Sequence, residues 1–137
     1  MDVCELIRMA RNVRVNAYAP YSHFAVGAAL EAADGRVFCG CNVENAAYSP
    51  SNCAERSALF AAVSQGVRKF SRIAIVGGEM GKAPQKPCAP CGVCRQCLLE
   101  FCDPEEFQVI LAVDEKHYNT YSLGELLPLS FSQDNLK

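Results

Sequence analysis

The order of elements written into this chain predicts an α/β fold, a three-layer α/β/α sandwich built on a mixed, mostly parallel sheet. Three observations carry that prediction. An antiparallel hairpin is encoded between Phe24 and Val43, the short runs Arg72–Val76 and Phe107–Val113 are apolar and β-branched as buried strands require, and helical segments alternate with them. Strand, helix, strand, helix, strand implies right-handed parallel crossovers beyond the hairpin.

Leu6, Met9, Ala10, Val13 and Ala17 recur at helical spacing and Pro20 stops the pattern, so residues 2–17 read as an amphipathic helix covering one sheet face. Phe24 to Leu30 is apolar, Asp34-Gly35 supplies a tight turn, and Arg36 to Val43 returns as the second strand. Residues 53–65 are alanine-rich and contain neither Gly nor Pro; the small face of Ala54, Ala58, Ala61 and Ala62 allows such a helix to lie close against a sheet. Gly66 marks its end. Arg95 to Cys102 reads as a third helix, and Gly77 to Pro90 as a surface loop. With no internal repeat and no low-complexity tract, residues 1–137 read as one domain.

Half of the 137 residues are apolar and a fifth are charged, the balance of a globular protein. A net charge of -2 gives no positive field for collecting phosphates, which disfavours a nucleic-acid partner and favours a small molecule. Met1 to Glu5 carries acidic residues where a secretory leader carries positive charge, and no apolar stretch is long enough to cross a bilayer; the expectation is a cytoplasmic protein with no membrane partner. Nine cysteines is many for this length, and an odd number cannot all pair with one another. In a reducing compartment, clustered cysteines are metal ligands or catalytic groups more often than disulfides.

Their placement is informative. Cys53-Ala54-Glu55 stands at the start of one expected helix and Pro90-Cys91-Gly92-Val93-Cys94 at the start of another. Unpaired N–H groups and the helix dipole stabilise thiolates there and ready the sulfur for zinc. Three sulfurs, from Cys53, Cys91 and Cys94, leave the fourth tetrahedral position to water, as a catalytic zinc site requires. Zinc-bound water becomes hydroxide near neutral pH. Glu55 is the natural group to move its protons, and the zinc-deaminase signature, H-x-E followed by P-C-x-x-C, uses its Glu in that way. Cys53 replaces the signature's His. Three thiolates with Zn²⁺ carry about one net negative charge, which makes bound water less acidic, and Arg56 is placed to offset it.

The chain resembles the small homotetrameric cytidine deaminases. The matching segments are Ala19-Pro20-Tyr21-Ser22-His23-Phe24, Val26-Gly27-Ala28-Ala29-Leu30, Gly40 to Tyr48, Cys53-Ala54-Glu55-Arg56, Pro90 to Gln96, Glu125-Leu126-Leu127-Pro128 and Phe131, spanning almost its whole length. The resemblance implies five strands, one Zn²⁺ per subunit, and a homotetramer with sites at subunit interfaces. It implies that Phe24 packs on the pyrimidine, that Asn42 and Glu44 hold the ribose 3'-hydroxyl, and that the Ala54 backbone and Glu55 read the base edge. Tyr48 belongs to the same substrate site, and Phe131 completes that of a neighbouring subunit. The implied reaction is hydrolytic deamination of cytidine and 2'-deoxycytidine, in pyrimidine salvage.

Other readings stay open on the sequence alone. Cys88, Cys91, Cys94 and Cys97 are spaced three apart, so Pro87-Cys88-Ala89-Pro90-Cys91 also satisfies P-C-x-x-C; the Arg95-Gln96 that follows Cys94 favours Cys91 and Cys94. A closed four-sulfur zinc or iron–sulfur site would leave Cys53 and Glu55 without a role. Cys4, Cys39, Cys41 and Cys102 read as ordinary packing residues, and His23 and His117 as surface ones. A nucleoside antibiotic or a base in RNA or DNA is the alternative substrate.

Overall fold

The structure, a computed structural model, describes residues 1–137. Asp2 caps the first helix, α1 (Val3–Arg14), its side chain accepting from the Cys4 N–H. Leu6, Ile7 and Ala10 form its buried face. The helix stops at Arg14, short of the expected Ala17, because Tyr18 is drawn to the sheet edge and bridges Val43.

β1 (Phe24–Ala32) and β2 (Val37–Cys41) form the expected hairpin, turned at Gly35 with φ of 93°. After them come α2 (Ala54–Ser64), β3 (Phe70–Glu79), α3 (Gly92–Leu99), β4 (Gln108–Asp114), β5 (His117–Ser122) and a short α4 (Leu123–Leu126). β3 outruns the expectation at its C-terminal end. Gly77 and Gly78, read as loop, pair with Val26 and Ala25, and the loop begins only at Met80. α3 starts at Gly92, not Arg95, because Cys91 is its cap.

The five-stranded mixed sheet has the order β2-β1-β3-β4-β5. Only β3 and β4 pair in parallel, so the mostly parallel pairing expected is corrected: β1 lies antiparallel between β2 and β3, and β5 is antiparallel to β4. The physical reason is the hairpin. It seats β1 beside β2, so the α2 crossover must step over β1 before laying down β3, and the parallel relation of β2 to β3 is not one of neighbours.

The three layers are as expected. α1 packs Leu6, Ile7 and Ala10 against Ala29, Ala74, Val76, Ile110 and Ala112 on one face. On the other face α2 and α3 bury Ala54, Ala58, Leu59, Ala62 and Leu98 with Leu30, Ile73, Ile75 and Val109. α2 comes so close that a Cβ on Gly40 would lie 2.5 Å from the Ala58 nitrogen. That glycine therefore sets the depth of α2, and with it the position of the helix start that carries Cys53 and Glu55. No helix is long and apolar enough to cross a membrane.

Candidate metal centre and active site

Two helix starts converge beside the sheet. Cys53 is the N-cap of α2 and Cys91 the N-cap of α3, both with extended backbone, and neither thiol caps its own helix. Their sulfurs are thus free to turn toward each other. Cys53 and Cys91 lie 3.7 Å apart, Cys91 and Cys94 3.4 Å, and all three Sγ atoms fall within 4.8 Å of one another. Bonds of about 2.3 Å from zinc to sulfur set tetrahedral sulfurs about 3.8 Å apart, so the donor set fits that ion. Cys94 is fully buried and Cys91 exposed, which gives the cluster a closed and an open side. Cys88 lies outside this group and packs over Gly77, where its Sγ would be 2.8 Å from an added Cβ.

Charge in the cluster is organised. Hydrogen bonding from Cys94 and then from Arg56 holds the Cys53 thiol well below its ordinary range, while the same partnership with Cys53, with burial, pushes Cys94 up. The Arg56 guanidinium donates to Cys53 Sγ at 3.3 Å. Its buried Nε has no partner of its own. Glu55, on the first turn of α2, is only 4% exposed. Burial raises its carboxyl to about 7, the neighbouring Cys53 adding to the effect.

A second group forms where β1 begins and β2 ends. The Asn42 side chain donates to the Phe24 carbonyl and accepts from the Val26 N–H, both at 2.8 Å. Glu44 receives the N–H groups of Tyr21 and Ser22 at 3.1 Å and the Ser22 hydroxyl, and these donors hold its carboxyl below the ordinary value. Phe24, Gly77, Gly78, Lys86 and Pro87 line a cavity beside the start of β1. Tyr48 packs edge-on against Tyr21, with φ of 60°. Tyr48 is 73% and Phe131 61% exposed, so within one chain neither is packed into the sulfur cluster. Ala54, between Cys53 and Glu55, is wholly buried.

Residues 2–110 match the family model described as the cytidine and deoxycytidylate deaminase zinc-binding region. A cytidine deaminase of Sporosarcina psychrophila is 46% identical over 136 residues, covering 99% of this chain and 96% of its own. The chain belongs to the cytidine and deoxycytidylate deaminase family. A cytidine deaminase of Halalkalibacterium halodurans is 43% identical over 99% of this chain and 98% of its own. The crystal structure of cytidine deaminase from Burkholderia pseudomallei superposes with a TM-score of 0.86 at 47% identity, covering 96% of this chain and all of that one. As a member of this zinc-dependent deaminase family the chain is an enzyme, and Cys53, Cys91 and Cys94 are placed to hold its zinc.

Two residues beside these groups make contacts that the sequence reading does not anticipate. Arg95 donates from Nε to the Pro90 carbonyl at 2.8 Å and also binds the Leu126 carbonyl, tying the loop that carries Cys91 to the C-terminal segment. Ser22 bonds both Glu44 and the Phe24 N–H. Arg95 follows Cys94 directly in the sequence, but its partners are carbonyls brought in by the fold. His117, by contrast, stays at the surface as expected, paired with Asp114.

Proposed function

We propose that this enzyme hydrolyses free cytidine and 2'-deoxycytidine to uridine and 2'-deoxyuridine with release of ammonia, in pyrimidine salvage. We also propose that residues 1–137 act as one domain within a homotetramer. The observation that carries the reading is the Glu55 carboxyl, 4% exposed on the helix turn that begins at Cys53, beside the three convergent sulfurs. A buried carboxyl at that place is positioned to accept a proton and return it. Zinc bound by Cys53, Cys91 and Cys94 supplies Lewis acidity and lowers the pKa of water.

Glu55 as carboxylate takes a proton from the attacking water and passes it to ring N3 as oxygen adds at C4. It then carries the second proton to the departing amine, so that water and cytidine leave as uridine and ammonia. Arg56, bonded to Cys53 Sγ, offsets the excess negative charge of three thiolates. Phe24 forms the platform for the pyrimidine, and the Ala54 backbone reads its edge. Asn42 and Glu44 receive the sugar's 3'-hydroxyl; a carboxylate there repels a 3'-phosphodiester and so favours nucleosides over polynucleotides. The exposure of Tyr48 and Phe131 supports the view that neighbouring subunits bury them, with Phe131 completing an adjacent site.

The test follows cytidine by ultraviolet absorbance with wild type and Glu55→Gln, with bound zinc quantified in both. Glu55→Gln is expected to lose activity by about 10²- to 10⁴-fold while retaining zinc. A zinc-loaded wild type that leaves cytidine unchanged, or turns over only a nucleoside antibiotic or a cytosine oligonucleotide, would overturn the reading.

A further inference from the structure

The Ser22 hydroxyl is committed on both sides. It donates its proton to Glu44 Oε2 and accepts the Phe24 N–H at 3.1 Å. Glu44 Oε1 takes the N–H groups of Tyr21 and Ser22, each at 3.1 Å. An ionised carboxylate offers about four acceptor positions, so three are filled by the chain and one remains, on Oε2. Glu44 lines an open cavity of about 340 Å³ together with Tyr21, Ser22, Tyr48 and Ser51.

The backbone around this serine is held as tightly. His23 adopts φ of 58°, its N–H bonds to the Ala19 carbonyl, and its carbonyl takes the Met80 N–H at 2.8 Å. The Phe24 carbonyl is bound by Asn42. Ser22 is therefore the one side chain that links the carboxylate to the backbone of the aromatic platform.

We propose that Ser22 is a positioning residue for sugar recognition: it orients the Glu44 carboxylate so that its single free acceptor meets the 3'-hydroxyl while Phe24 holds the base. The proposal rests on the reading of Glu44 as the sugar contact. A preorganised acceptor strengthens binding because little orientation is left to be lost when the ligand arrives. Without the hydroxyl, Glu44 keeps its two backbone donors but can rotate Oε2 away, and the Phe24 N–H loses its partner.

The experiment measures kcat and KM for cytidine and for 3'-deoxycytidine with wild type, Ser22→Ala and Ser22→Thr. Loss of one hydrogen bond to a charged group corresponds to about a tenfold effect, and Ser22→Ala is expected to raise the cytidine KM by that factor. The unpaired Phe24 N–H acts on both substrates alike, so the KM for 3'-deoxycytidine should rise clearly less than that for cytidine, and Ser22→Thr, which keeps the hydroxyl, should restore the cytidine KM. A Ser22→Ala variant that weakens both substrates equally, or neither, would overturn the proposal while leaving Glu44 as a sugar contact. A wild type that does not distinguish the two substrates would show instead that the 3'-hydroxyl is not read, and both statements would fall.

Discussion

Gly40 is the point at which α2 rests on the sheet, and one added methyl group there perturbs the active site through the fold. A Cβ on Gly40 would lie 2.5 Å from the Ala58 nitrogen and 2.6 Å from the Ala54 oxygen, where ordinary contact begins at 3.4 Å. Both are backbone atoms in the first five residues of α2 and cannot rotate aside, so in Gly40→Ala the helix start must withdraw by about 0.9 Å. Overpacking of this kind costs about 1–3 kcal/mol. The same helix start carries Cys53 and Glu55, and a misplacement of about 1 Å costs on the order of 100-fold in rate. Urea unfolding, zinc content and kcat/KM for cytidine per folded chain measure the two consequences separately. Gly27→Ala is the control: its Cβ would sit 1.9 Å from the Ala10 oxygen, a harder clash, but on the face covered by α1. It is expected to destabilise more, yet to lower kcat/KM per folded chain less than Gly40→Ala does, since the backbone it meets belongs to α1 and not to the helix that carries Cys53 and Glu55. Full activity in Gly40→Ala, or equal catalytic losses in both variants, would refute the link between the depth of α2 and the chemistry.

Cys94→Ala should lose bound zinc and, with the ion's stabilisation gone, show a lower Tm, whereas Cys88→Ala should keep both; zinc retained by Cys94→Ala but lost from Cys88→Ala would reverse the ligand register. At the far end of β1, Arg72 Nε pairs with Glu31 at 2.8 Å, with side chains 15% and 10% exposed. Arg72→Met strands that carboxylate and is expected to cost about 3 kcal/mol in denaturant unfolding, with kcat/KM for cytidine unchanged. An unaltered unfolding midpoint would show that solvent or the N-terminal ammonium, 3.8 Å from Glu31, replaces the guanidinium.

Much of this architecture was legible without coordinates. The Asp34-Gly35 turn, the alanine face of α2 and the β-branched runs of β3 and β4 are local signals, readable from side-chain period and turn chemistry. β5 was not derivable in that way: His117-Tyr118-Asn119-Thr120-Tyr121-Ser122 has no apolar run because it is an edge strand whose residues are mostly exposed. The ends of α1 and β3 were misjudged for a related reason. Gly77 and Gly78 carry the weakest strand propensity, and only the pairing of Phe24–Gly27 across from them makes them strand.

The candidate site divides along the same line. Cys53, Glu55, Cys91 and Cys94 stand out by their spacing as candidates for the proposed metal ligation and proton transfer, because those tasks demand particular side chains at helix starts. Among the four cysteines from Cys88 to Cys97 the following Arg95-Gln96 already favours Cys91 and Cys94, and the fold agrees: Cys91 and Cys94 gather with Cys53 while Cys88 is laid over Gly77. Burial of Glu55, the unpaired Nε of Arg56 and the bond of Ser22 to Glu44 are likewise tertiary. The sequence determined which chemical groups this protein carries and the local elements that bear them, because propensity and ligand chemistry act over a few residues. Only the folded chain decided which groups meet and which carboxylate is dry, because distance and desolvation arise from segments far apart along the chain.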